Sequence, residues 1–185
     1  MSALPKVAVL GCGHWGKNLA RNFAELGALQ AVVDPNPETA RTHADMHGVA
    51  AMTQDEALAS DVDGIVIAAP AELHHDLAMD VIAAGKHVYV EKPIALSVTD
   101  GEEMVAAAQA ADRILMVGHL LQYHPVFAEL RRRVQEGSLG QLRYAYSHRL
   151  STGIFRVAED AGWSLAPHDV SMLLSLFGEA PDRIR

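Results

Sequence analysis

Gly11-Cys12-Gly13-His14-Trp15-Gly16 has the spacing G-x-G-x-x-G. Placed after an apolar strand and at the opening of a helix, this spacing suits the pyrophosphate of a dinucleotide. Gly11 permits a tight turn, Gly13 lets the backbone approach phosphate oxygens, and Gly16 lets helix and strand pack closely. The free N–H groups and the positive dipole end of the helix then face the anion. The bland alternative is a glycine-rich turn with no ligand. Asp34 closes the next apolar run. A carboxylate there accepts both ribose hydroxyls of an adenosine and repels a 2′-phosphate. No Lys or Arg follows before Arg41, so the expected cofactor is NAD rather than NADP. The plainer reading of Asp34 is a turn residue before Pro35. Lys92 follows the apolar run His87–Val90, at the end of a parallel strand where open α/β sheets bind ligands. Partial burial there weakens a lysine's hold on its proton, which suits proton exchange with a hydroxyl. His168 is the second candidate proton acceptor, because a histidine's ordinary pKa lies near neutrality.

The elements that position these residues follow from periodicity. Short apolar runs alternate with helical patterns, as in βαβ units. Lys6–Leu10, Leu29–Val33, Gly64–Ala68, His87–Val90 and Ile114–Val117 read as buried parallel strands. Helices are expected over His14–Leu26, Pro37–His47, His74–Ala84, an Ala-rich stretch capped at Ser97 or Thr99 and running to Ala111, and Pro125–Gln135. The pattern then changes. Leu142–Leu150 alternates strictly, as a half-buried strand of an antiparallel sheet does. A last helix is expected over Pro167–Phe177, with Pro167 at its first position. Val170, Leu173, Leu174 and Phe177 would form its apolar face, with His168, Ser171 and Ser175 on another side. The boundary between domains falls near Gly118–Gly140, giving 1–120 as a cofactor domain and 121–185 as the start of a second. One good strand cannot cover a sheet, so the second domain is expected to be completed elsewhere.

Composition narrows the function classes. A net charge of −8 argues against nucleic acid and anionic membranes as partners. Arg131-Arg132-Arg133, set among Glu129 and Glu136, reads as a solvated helix face rather than a phosphate contact. Half the residues are hydrophobic, enough for a full core. Neither a signal peptide nor a membrane-length apolar run is evident, so a cytoplasmic protein is expected. The lone Cys12 excludes an intrachain disulfide framework. It reads as a small packing residue, although a helix N-terminus could lower its pKa. The pairs His43/His47 and His74/His75 lack the further carboxylate or cysteine ligands of a metal site, and no metal is expected.

Gly85-Lys86-His87-Val88-Tyr89-Val90-Glu91-Lys92-Pro93, the loop Pro70-Ala71-Glu72-Leu73-His74 and the glycine loop with Trp15 resemble the glucose–fructose oxidoreductase / inositol dehydrogenase / rhizopine catabolism family over residues 1–125. The resemblance implies a doubly wound Rossmann domain followed by an α+β, mostly antiparallel domain that closes the substrate site and builds a homo-oligomer interface. It implies NAD contacts from Gly11, Gly13, His14, Trp15, Gly16, Asp34, Ala69, Pro70, His74, Glu91 and Lys92. It makes Lys92 the residue beside the nicotinamide and the reacting hydroxyl, and His168 its acid–base partner. The family usually presents Asp-x-x-x-His at that point. Here Ser164 stands where the aspartate would, so the aspartate's contribution is in question while the histidine remains.

Gly118-His119-Leu120-Leu121-Gln122-Tyr123-His124-Pro125 and Trp163–Ser171 resemble a subgroup of that family acting on nucleotide sugars. That narrower resemblance implies oxidation of the 3-hydroxyl of UDP-N-acetylglucosamine, with Lys92, His119, Tyr123, His124, Arg149 and His168 as substrate contacts. Two alternatives stay open: a dehydrogenase of inositols or free sugars, and a dinucleotide-binding module without catalysis.

Overall fold

The computed structural model describes residues 4–149 and 161–183. The chain divides into two compact units between Gly118 and His119.

The first unit is a six-stranded, wholly parallel sheet. Its strands are β1 (Val7–Leu10), β2 (Leu29–Val33), β3 (Ala50–Met52), β4 (Gly64–Ile67), β5 (His87–Val90) and β6 (Leu115–Val117), in the order β3-β2-β1-β4-β5-β6. Leu10 aligns with Val33 on one side and Ile67 on the other. The chain therefore winds outward in both directions from β1. The crevice at the carboxyl ends of β1 and β4 is the place where such sheets take ligands. The helices are α1 (Gly16–Glu25), α2 (Pro37–His47), α3 (Gln54–Ala59), α4 (His74–Ala83) and α5 (Val98–Ala110).

The central strands are buried on both faces, which is why they read as continuous apolar runs rather than alternating ones. One face packs Leu10, Val33, Ile65, Ile67, Val88 and Met104; the other packs Val9, Cys12, Ala20, Val32 and Val66. Local signals stop and start the helices. Asn36 caps α2 by accepting from Glu38 N, with Pro37 at the first position and Gly48 ending the helix at φ 66°. Ser97 caps α5 by accepting from Asp100 N. Lys86, buried, donates to the carbonyls of Ser60 and Val62 at 2.7 and 2.9 Å, tying the start of β5 to the entry of β4.

Two elements of this unit were not expected. β3 and α3 occupy the stretch between His47 and Gly64, so Gly64–Ile67 is the fourth strand and not the third. Their signal is local: Thr53 and Glu56 form a reciprocal capping box at the start of α3.

α4 and α5 are joined by His75. Its Nδ1 faces Asp76 Oδ1 at 2.8 Å and its Nε2 faces Glu103 Oε2 at 3.2 Å. The Asp76 hydrogen bond, with help from Glu103 and the charge of Asp100, raises its pKa above the ordinary 6.5. A raised folded-state value contributes stability below the unfolded value, and that contribution disappears as pH rises through the folded one. Wild type should therefore lose a small part of its Tm advantage over His75→Gln between about pH 6 and pH 8, the effect of a solvent-screened pair. A gap in Tm that does not change with pH would count against it.

In the second unit, the described residues hold a short 3-10 turn (Leu120–Tyr123), α6 (Pro125–Gln135) and α7 (Ala161–Phe177). The expected half-buried strand is absent over residues 142–149, which are irregular and largely exposed; Leu150 lies outside the described residues. Alternation supplies one apolar face, but a strand also needs a partner edge, and the described residues provide none. α7 begins at Ala161, so Pro167 lies inside the helix and not at its start. Its covered side is also not the expected one. His168 is buried, whereas Val170, Leu174 and Phe177 are exposed. On α6, Arg132 and Arg133 bind Glu129, and Arg132 also binds Glu136, giving the expected solvated face. Arg131 instead turns inward to Gln122 and Ser175.

Candidate functional site: a cleft beside the glycine loop

The crevice beside β1 is a cleft of about 650 Å3. Gly11 and Gly13 form one edge, Asp34, Pro35 and Arg41 a second, Met52 and Thr53 a third, and Ala69, Pro70 and Leu73 a fourth. Met52 and Thr53 come from the unexpected β3–α3 corner, so sequence reading missed that wall; the capping box was the signal that could have found it.

The glycine loop has the geometry its sequence demands. Gly11 sits at φ +92°, and a Cβ there would lie 2.8 Å from Ala68 O. A Cβ on Gly16 would fall 1.7 Å from Gly11 O, so only glycine lets α1 meet the loop. A Cβ on Gly13 meets nothing within 4 Å. That position borders open space, as a backbone that must approach a pyrophosphate does. His14 and Trp15 are exposed beside it. The residues thus fit a dinucleotide: a bare loop, a helix start and a cleft long enough to continue past Asp34.

Asp34 already has work to do. Oδ2 accepts from Cys12 N at 2.8 Å and Oδ1 accepts from Asn36 N at 2.9 Å. Both oxygens keep lone pairs for a ribose, and the two backbone bonds fix where they point. Cys12 lies inside the loop, 2% exposed, and burial followed by the charge of Asp34 pushes its thiol up to about 11. Its side chain packs in the cluster of Val9, Ala20, Val32 and Val66, as a small packing residue does. At pH 8 iodoacetamide should alkylate Cys12 roughly 10²-fold more slowly than a free thiol, and denaturant should abolish the difference. Rapid labelling of the folded protein would contradict this.

On the side of the glycine loop away from Asp34 lies the corner after β5. Glu91 is buried, and its Oε1 accepts from Trp15 Nε1 at 2.9 Å and from the Tyr89 hydroxyl at 3.1 Å. Lys92 N faces Glu91 Oε2 at 3.3 Å, the Lys92 side chain is partly buried, and the Lys92–Pro93 bond is cis. Glu91 therefore holds the loop. His74, 1% exposed, bridges two loops: Nδ1 lies 2.7 Å from Pro93 O and Nε2 lies 3.0 Å from Ala69 O. A carbonyl only accepts, so whichever ring nitrogen carries the hydrogen donates to its carbonyl, and the tautomer decides which. His74, expected as a cofactor residue, joins the loop after β4 to the loop after β5. Tyr89 and Gly118 belong to this corner; both lie in motif stretches, but the sequence marks neither as a site residue.

Among the substrate candidates of the second unit, His119 and His168 meet edge to face, with ring centroids 6.2 Å apart. Tyr123 is exposed. His124 caps α6, its Nδ1 accepting from Val126 N at 3.3 Å, a structural role that sequence reading did not anticipate. Arg149 Nε donates to Asp169 Oδ2 at 2.5 Å, and Ser147 donates to Asp169 Oδ1 at 2.6 Å. This ion pair, the Arg149 hydrogen bond foremost, holds Asp169 below the ordinary carboxylate value. Among the described residues no group of three or more His, Cys, Asp or Glu is placed to hold a metal, and no helix is long and apolar enough to cross a membrane.

Residues 5–119 match the oxidoreductase family with the NAD-binding Rossmann fold, the family of glucose–fructose oxidoreductase, inositol dehydrogenase and the rhizopine catabolism protein, and the chain belongs to it. Its cofactor is NAD. Over 181 residues, 97% of the chain, it is 30% identical to UDP-N-acetylglucosamine 3-dehydrogenase of Acidithiobacillus ferrooxidans, of which it covers 56%. A solved structure of that enzyme superposes with a TM-score of 0.88 at 29% identity, covering 100% of this chain and 58% of that one. The structure of GenD2 from gentamicin A biosynthesis in complex with NAD superposes with a TM-score of 0.83 at 29% identity, covering 96% of this chain and 55% of that one. Inositol 2-dehydrogenase of Klebsiella pneumoniae is 32% identical over 143 residues, 73% of this chain and 42% of that protein. The chain thus spans about half the length of the relatives it matches.

Proposed function

We propose that this chain forms the cofactor-binding part of an NAD-dependent dehydrogenase that oxidises a secondary hydroxyl of a sugar, the 3-hydroxyl of UDP-N-acetylglucosamine. The observation that carries the reading is Lys92, partly buried at the end of β5, on the opposite side of the glycine loop from Asp34. A dinucleotide lying across the crevice puts its adenosine half toward Asp34 and its reactive half toward β5. When bound, NAD supplies the hydride acceptor. The protein then has to orient the sugar carbon and remove the hydroxyl proton. Lys92 and His168 are the residues for that task, and His119 and Arg149 are contacts for the sugar nucleotide. The nucleotide-sugar assignment draws on the likeness to the Acidithiobacillus enzyme, which extends past the family match at residue 119 to 97% of the chain.

A second reading, oxidation of a free polyol, is favoured by the likeness to inositol 2-dehydrogenase. The test uses a protein that includes the C-terminal half present in the relatives, and follows NADH absorbance with UDP-N-acetylglucosamine, myo-inositol and glucose. Reduction with the nucleotide sugar alone is the expected result. Reduction with inositol or glucose would move the assignment to the second reading. NAD binding without turnover on any of the three would point to a non-catalytic module.

A further inference from the structure

The carboxylate of Glu91 is buried at 7% exposure, yet among the described residues its partners are neutral donors: an indole, a phenol and a backbone amide. Burying such a group costs stability unless hydrogen bonds offset it. The space around it is also closed. A Cβ on Gly118 would stand 2.7 Å from Glu91 Oε1 and 2.8 Å from the Tyr89 hydroxyl. One of the donors, Trp15, is 42% exposed, and it is the residue from which α1 departs. A single carboxylate oxygen thus connects the glycine loop with the corner that follows β5, 76 residues further along the chain.

We propose that Glu91 is a positioning residue, a latch that holds the Trp15 indole at the reactive end of the cofactor crevice and keeps the glycine loop in register with Lys92. The proposal rests on the reading of Lys92 given above. Trp15 Nε1 points into the protein, leaving the rest of the ring at the surface of the loop. Its ring serves as a wall for the bound dinucleotide only while Glu91 fixes its rotamer. The Tyr89 hydroxyl, donating to the same oxygen, keeps that carboxylate from turning away.

Fluorescence and calorimetry test this on the 185-residue chain. Trp163→Phe leaves Trp15 as the only tryptophan and serves as the parent protein. Into it are placed Glu91→Ala, which removes the acceptor, and Glu91→Gln, whose amide oxygen still accepts. Trp15→Phe, which keeps a ring and loses the N–H, is compared by calorimetry alone. Without cofactor, acrylamide should quench Trp15 more efficiently in Glu91→Ala than in the parent, and its emission should shift to longer wavelength. Glu91→Gln should match the parent. For NAD, Glu91→Ala and Trp15→Phe should each weaken affinity about ten-fold, the scale of one lost hydrogen bond to a charged group, and Glu91→Gln by no more than about two-fold. Identical quenching in Glu91→Ala and the parent would overturn the latch. So would a loss of affinity in Glu91→Ala with none in Trp15→Phe, which also guards against general unfolding of the first variant. A parent that takes up no NAD would overturn the cofactor reading on which the proposal rests, and the cofactor-free quenching then still decides whether Glu91 holds Trp15.

Discussion

Gly16→Ala should abolish NAD binding and destabilise the first unit by about 3 kcal/mol or more, the range of overpacking against an unyielding neighbour. The added Cβ would stand 1.7 Å from Gly11 O and 2.8 Å from Gly11 C, both backbone atoms, and 3.1 Å from the Ala68 Cβ. None of these is the end of a flexible side chain. Relief requires α1 to back away from the loop, and that movement takes the helix N-terminus with it. Gly13→Ala makes the informative contrast. Its Cβ meets nothing in the protein but enters the space proposed for the pyrophosphate. Gly13→Ala should therefore keep the wild-type Tm and still lose NAD affinity, whereas Gly16→Ala loses both. Thermal denaturation and calorimetry on the two variants read this directly. A Gly16→Ala protein with unchanged Tm would contradict the close packing, and a Gly13→Ala protein with unchanged affinity would move the pyrophosphate elsewhere.

Lys92→Ala, in a protein that includes the C-terminal half of its relatives, should lower turnover by roughly 10²–10⁴-fold while leaving NAD affinity within a few-fold. The split follows from position. Lys92 stands after β5 and outside the lining of the cleft formed by Gly11, Gly13 and Asp34, so the cofactor keeps most of its contacts without it. Lys92→Arg should not restore the rate, because a guanidinium does not give up its proton at working pH. Steady-state kinetics with the active substrate and calorimetry with NAD separate the two effects. Near-normal turnover in Lys92→Ala would remove Lys92 from proton transfer and leave His168 as the candidate.

What the sequence made legible follows the range of the interactions involved. Pro37–His47 was read to the residue because Asn36, Pro37 and Gly48 specify its ends locally. The buried strands were legible because a parallel strand covered on both faces must be apolar throughout. β3 and α3 were missed because they are 3 and 6 residues long, too short for a period to emerge. The alternation in Leu142–Leu150 misled because it reports which side of a strand is apolar and not whether a partner edge exists. The covered side of α7 was misread because the apolar stripe on a helix faces whatever apolar surface is available, and the described residues leave Val170, Leu174 and Phe177 exposed. In the site, the G-x-G-x-x-G spacing and Asp34 predicted a cleft that exists. The bonds of Glu91 to Trp15 and Tyr89, the bridge from His74 to Pro93, and the capping duty of His124 were not legible. Each depends on which donor a folded chain brings to an acceptor, and composition or spacing does not encode that.

The place of β1 at the centre of the sheet also governs how the chain is made. β1 pairs with β2 on one edge and with β4 on the other. During synthesis β2 ends at Val33, but β4 is complete only at Ile67. At about 5–20 residues per second the ribosome takes roughly 2–7 seconds to span that interval. Throughout it, an apolar β1 edge has no partner from its own chain. A nascent polypeptide with this winding order is therefore a natural client for a holdase at the tunnel exit, and slow codons would be best tolerated after Ile67.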